Sequence, residues 1–181
     1  MDYDELTPRR HVPHLLNILK NHPDWTKGAE IGVAQGRTLK AVLETCPNLV
    51  MLAVDAWEYV PDSEDTGMYE GMDHALNEQC VRLVAGAFPD RVGILKGYSW
   101  GMASLVGDGT LDFVFIDASH AYEEVKADIK CWAPKVKPNG WILGHDYCER
   151  WDGVRRAVDE LLGPPLELPE TLWAHERAAF G

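Results

Sequence analysis

Strand-length runs of mostly apolar residues at Ala29 to Val33, Leu49 to Val54, Leu111 to Ile116 and Gly140 to Gly144, with a weaker one at Val92 to Leu95, constrain this chain more than any other feature. Apolar side chains at consecutive positions need both faces of a strand covered, so these runs predict buried, mainly parallel strands rather than half-exposed antiparallel ones. Helical spacing fills the intervals, at 37 to 43, 74 to 87, 122 to 132 and 153 to 162, with a further helix at 9 to 21 that Asn21-His22-Pro23 stops. Strands alternating with amphipathic helices give a doubly wound α/β fold. After Gly163-Pro164-Pro165, the stretch Leu166 to Ala174 is expected to add one or two short final strands. The 181 residues, 46% hydrophobic and 25% charged, suit one domain, with residues 1–26 as its N-terminal helix.

The formal net charge of −12 repels a phosphate backbone or an anionic membrane surface and leaves a small molecule as the expected partner. Cys46, Cys80, Cys131 and Cys148 lie far apart and read as reduced thiols. An acidic start and the absence of any membrane-length apolar run complete the expectation of a cytoplasmic protein. A homo-oligomer is compatible with all of this.

In doubly wound sheets ligands collect at the carboxyl ends of the strands. The first such end reads Glu30-Ile31-Gly32-Val33-Ala34-Gln35-Gly36. A dinucleotide turn would carry a middle glycine so that the backbone can approach a pyrophosphate. This turn lacks that glycine and has a carboxylate, Glu30, where the pyrophosphate would be poorly received. A cofactor with a cationic end and no phosphate fits better, as S-adenosylmethionine does. Asp55 closes the next strand 23 residues after Gly32, where a carboxylate can accept both hydrogen bonds of a ribose diol. The plain alternative is a tight strand-to-helix turn and an exposed strand-end charge.

With Val54-Asp55, Phe113-Val-Phe-Ile-Asp117 and Lys137-Pro-Asn-Gly-Trp-Ile-Leu-Gly-His-Asp146 following in order, the turn resembles that of a class I methyltransferase. The resemblance covers roughly residues 27 to 162 and is nearest to small O-methyltransferases of the catechol and macrolide-sugar type. It implies a Rossmann-like fold that binds S-adenosylmethionine. Glu30, Gly32, Gly36 and Thr38 would lie at the methionine part, Asp55 and Ala56 at the ribose, Tyr98 and Ser99 at the adenine, and Asp117 beside the cofactor.

Asp117 and Asp146 each end a strand, and neighbouring strands would bring them about 4.8 Å apart. Two carboxylates without a compensating base nearby in sequence must share a proton or bind a cation, for which Mg²⁺ is the natural choice and Mn²⁺ or another divalent ion an alternative. His145 stands where similar sugar methyltransferases carry an acidic ligand. It is either a third ligand or, because adjacent strand residues face opposite ways, turned off the site. His120, three residues after Asp117, matches a histidine proposed as general base in the sugar enzymes. Without a metal, His120 would act alone and Asp117 would cap the helix near Ala121. The acceptor expected is a small-molecule hydroxyl, including those of sugars and amino sugars.

Gly97-Tyr98-Ser99-Trp100-Gly101 also matches the nucleophile elbow of serine hydrolases, with His175 as candidate base. A metal-dependent hydroxylase and a non-catalytic binding protein on the same fold are further alternatives. Residues 58–73 belong to a stretch without Lys or Arg, and read as an acidic lid or as a solvated loop. Trp57, Trp100, Tyr147 and Trp151 follow strand ends as candidate pocket walls, and Trp132 and Trp141 look like core. His11 and His14, with no metal-spaced partners, are expected at the surface.

Overall fold

The computed structural model describes residues 5–58 and 71–177, so most of the acidic segment falls, at 59–70, outside the described residues. Among the described residues, seven strands form one sheet: β1 (Lys27–Ile31), β2 (Val50–Asp55), β3 (Val92–Lys96), β4 (Leu111–Ile116), β5 (Val136–Gly144), β6 (Leu166–Glu167) and β7 (Trp173–Glu176). Their order is β3-β2-β1-β4-β5-β7-β6. The first five run parallel, while β7 pairs antiparallel with β5 and with β6. The order reverses between β1 and β4, the switch point where a doubly wound sheet opens a crevice.

Among the described residues, six α-helices accompany the sheet: α1 (Val12–Asn21), α2 (Arg37–Thr45), α3 (His74–Ala87), α4 (Ser99–Ala103), α5 (Tyr122–Trp132) and α6 (Asp152–Leu161). Two cores result, one on each face. Leu15, Leu19, Leu39, Val42, Val81 and Val84 of α1 to α3 pack with Met51, Ala53, Phe113 and Phe115. On the other side Ala103, Val125, Ile129, Trp132, Val154 and Val158 of α4 to α6 pack with Ala29, Ile31, Val114 and Ile116. From Phe113 to Ile116 alternate positions of β4 thus serve different cores, which is why these four residues are all buried and why this part of the sequence shows no alternation. Burial of each large side chain contributes about 1.5–3 kcal/mol.

The carboxyl ends of the strands are laced beyond the regular pairing. Gly32 N donates to Val54 O at 2.9 Å, Asp117 N to Ile31 O at 2.8 Å, and Gly97 N to Asp55 O at 2.9 Å. Each residue expected to carry chemistry therefore leaves the sheet from a fixed point. All four cysteines are free thiols. No helix among the described residues is long and apolar enough to cross a membrane.

Candidate active site

Glu30 lies on β1 with 2% of its surface exposed, and its Oε2 has no hydrogen-bond partner among the described residues. Burial pushes its carboxyl well above the usual range, nearby Asp117 adds to this, and Arg9 opposes it. An orphaned buried carboxylate oxygen is costly, and a cationic donor such as an ammonium would relieve it. Gly32 follows with φ +85°, and a Cβ there would sit 2.3 Å from Asp117 O and 2.6 Å from Ala118 Cα. Only glycine lets β1 and the end of β4 close so tightly. Gly36, at φ +77°, caps α2, whose Thr38 faces the same small cleft as Arg9, Glu30, Gly32 and Asp117.

Asp55 ties two turns together: Oδ2 accepts from Ala34 N and Oδ1 from Trp57 N, each at 2.8 Å. Each oxygen keeps a second lone pair for another donor, so the backbone contacts fix the carboxylate without using it up. Ala56, beside it, is half-buried. Trp57 does not wall an open pocket; it is buried, and its indole donates to Ala34 O at 2.9 Å.

Just after β3, Ser99 turns its hydroxyl into the protein. Trp132 Nε1 donates to Ser99 Oγ at 2.7 Å, and the hydroxyl bonds to buried Asp128. These contacts include no histidine, and His175 lies on β7 with its Nδ1 on Glu176 O, so among the described residues no histidine serves Ser99 as base and the arrangement does not support the hydrolase elbow. Tyr98 stands exposed and stacks on exposed Trp100 with ring centroids 6.0 Å apart.

β4 and β5 are neighbours, and the Asp117 and Asp146 ends do converge. His145 lies between them: its Nδ1 is 3.0 Å from Asp146 Oδ2 and 3.5 Å from Asp117 Oδ1. The alternation that would have turned His145 away fails because the strand ends at Gly144 and Asp146 takes φ +63°, which folds its side chain back to the side of its neighbour. His120 Nε2 pairs with Asp146 Oδ2 at 2.9 Å, and Trp151 stacks on the His120 ring at 4.0 Å. His120, Asp117, His145 and Asp146 line one cleft. Asp117 caps no helix, since Ser119 Oγ accepts from Ala121 N instead.

Charge compensation comes from residues distant in sequence. Arg9 Nη1 lies 3.5 Å from Asp117 Oδ2. His11, expected at the surface, is 2% exposed, with its ring 4.3 Å from that of His145 and its Nε2 3.4 Å from Thr38 Oγ1. Burial lowers His11 to about 4, against the opposing pull of Asp117. Burial works to lower His145 as well, but the carboxylates of Asp117 and Asp146 outweigh it and raise that imidazole to about 10. Burial would raise Asp146, yet His120 and His145 hold it well below the usual carboxylate range. The far side of His145 is braced by the last strand, with Thr171 Oγ1 3.3 Å from its Nε2 and Trp173 Nε1 donating to its carbonyl at 3.2 Å.

This sheet order, with an acidic glycine turn after β1 and acidic ends to β2, β4 and β5, defines a class I methyltransferase domain. A family model described as a methyltransferase domain matches residues 29–147, and the chain belongs to that family. Among solved structures, the O-methyltransferase NovP is similar over 93% of this chain and 80% of its own, at 15% identity and a TM-score of 0.73. The calicheamicin methyltransferase CalS11 is similar over the same shares, at 17% identity and a TM-score of 0.70. A curated relative, the uncharacterized protein y4gI of Sinorhizobium fredii, is 32% identical over 101 residues. That match takes in 52% of this chain and only 10% of the relative's length.

Proposed function

We propose that this chain is an S-adenosylmethionine-dependent O-methyltransferase that modifies a hydroxyl of a small molecule, a sugar or amino sugar being the preferred acceptor class. The observation that carries the reading is the His120–Asp146 pair beside Asp117 and His145, in a cleft that adjoins the Glu30–Gly32 turn. S-adenosylmethionine supplies an electrophilic methyl group on a sulfonium. Glu30 and the cleft around Gly32 and Thr38 receive its amino-acid end, and Asp55 its ribose.

A sugar hydroxyl is a weak acid, so its oxygen becomes a competent nucleophile only as its proton leaves. Asp146 and Trp151 hold the His120 ring in one orientation, and the carboxylate stabilises the imidazolium that proton uptake creates. A divalent ion fits the donor set, because His145 Nδ1 is buried against two carboxylate oxygens with no aligned hydrogen bond. Asp117, Asp146 and His145 would hold it, and it would polarise the acceptor oxygen. The sugar preference is supported by CalS11, described as a TDP-rhamnose 3'-O-methyltransferase of similar fold.

Calorimetric titration with S-adenosylmethionine and its demethylated product tests the donor, and a panel of hydroxyl acceptors tests the transfer. His120→Ala is expected to lower kcat by about 10²- to 10⁴-fold with donor affinity unchanged. Absence of binding by either cofactor form overturns the reading, and wild-type kcat in His120→Ala overturns the role of the base.

A further inference from the structure

The sequence expectation of Mg²⁺ rests on two carboxylates, whereas the folded chain sets two imidazoles beside them. His11 stands at the start of α1, outside the stretch matched by the family model, where Pro13 in the first turn fixes the helix start. One donor atom each from His11, Asp117 and His145 lies within 4.8 Å of the others. Ligand atoms at about 2.0–2.2 Å from a tetrahedral ion stand about 3.3–3.6 Å apart, so side-chain rotations that draw the three atoms together by up to about 1.5 Å close the set.

The rings are already held as ligands usually are, with one nitrogen of each on a hydroxyl: His11 on Thr38 and His145 on Thr171. The other nitrogen of His145 is the buried Nδ1 that makes no aligned hydrogen bond among the described residues and faces Asp117 and Asp146. The carboxylate oxygens of Asp117 and Asp146 that face His145 offer the negative charge that a dication requires. Nitrogen donors suit zinc, iron or nickel, while Mg²⁺ demands oxygen.

We propose that His11, His145 and Asp117 form a metal site of two imidazoles and one carboxylate, which selects a first-row transition ion such as Zn²⁺ over Mg²⁺ and clips α1 to the sheet. The inference rests on the metal-assisted part of the preceding reading and changes its ligand set and ion.

The test uses the whole chain stripped with a chelator and then titrated with Co²⁺, read by its visible absorption, with Zn²⁺ and Mg²⁺ as competitors. One equivalent of Co²⁺ is expected, displaced by Zn²⁺ and not by Mg²⁺ at a 100-fold higher concentration. His11→Asn keeps a partner for Thr38 but is a poor ligand. Because loss of an outer-shell partner alone costs about 10- to 100-fold, it should weaken Co²⁺ by about 100-fold or more, with S-adenosylmethionine affinity unchanged. His11→Asp returns an oxygen donor and should shift preference toward Mg²⁺. Wild-type metal affinity in His11→Asn, or Mg²⁺ competing on equal terms, overturns the proposal while leaving a metal on Asp117, Asp146 and His145. Failure of any divalent ion to bind overturns both, and the S-adenosylmethionine titration judges the methyltransferase reading separately.

Discussion

Replacing Gly32 by alanine should injure the protein far beyond the addition of one methyl group. The new Cβ would lie 2.3 Å from Asp117 O, 2.6 Å from Ala118 Cα and 2.7 Å from Ala118 N, all backbone atoms that no rotamer change can move away. Relief requires the ends of β1 and β4 to part, against the 2.8 Å bond from Asp117 N to Ile31 O. Overpacking of this kind costs about 1–3 kcal/mol, and a left-handed alanine about 1–2 kcal/mol more. A loss of about 2–5 kcal/mol, at about 2–4 °C per kcal/mol for a chain of this size, lowers Tm by about 4–20 °C. Gly163 provides the control, since its φ of +81° is similar but a Cβ there would meet nothing within 4 Å among the described residues. Gly163→Ala should show only the conformational cost, about 1–2 kcal/mol. Scanning calorimetry of both variants decides the matter, and equal Tm losses would refute the argument from close approach.

Burial raises Asp128 to about 7, although its bond with Ser99 works the other way. Its contribution to stability is therefore fully present below the unfolded value near 3.8 and is lost as pH rises through about 7. Urea titrations at pH 5 and pH 8 should show that Asp128→Asn loses less stability over this interval than the wild type; an equal loss contradicts the assignment. Glu30→Gln removes a buried carboxylate whose pKa is raised, so the cofactor-free chain should melt higher at pH 8, while S-adenosylmethionine binds about 10- to 100-fold more weakly for want of a charged hydrogen bond. A lower melting temperature would show that Glu30 has a partner that stabilises its charge. Ser99→Ala leaves Trp132 Nε1 without its acceptor and should cost about 1–3 kcal/mol by chemical denaturation; a fluorophosphonate that labels wild-type Ser99 would instead revive the hydrolase elbow.

The sheet was legible because its strands are buried on both faces. β4 reads as an unbroken block, and the helices at 74 to 87 and 122 to 132 have the bounds that their spacing predicts. β5 begins earlier than the expected Gly140, at Val136. Lys137-Pro138-Asn139 has the composition of a turn, and Asn139 at φ +65° with a register shift against β4 shows why local propensity misleads there. Glu30, Asp55, Asp117 and Asp146 could be found because each ends or adjoins an apolar run. His11 could not, since its partners lie 106 and 134 positions away and Val12-Pro13-His14 offers no ligand spacing. His145 stayed ambiguous because whether it shares a side with Asp146 depends on the left-handed turn at Asp146, a residue type that does not require one.

The bracing of His145 by Thr171 and Trp173 ties the maturation of the site to the order of synthesis. Arg9 and His11 leave the ribosome before any strand of the sheet, yet His145 is not braced until Thr171 and Trp173 have been made. A nascent chain halted before Thr171 would already hold all five parallel strands while His145 still lacked these two contacts. Truncation before Thr171 should therefore loosen His145 even where the parallel sheet has formed.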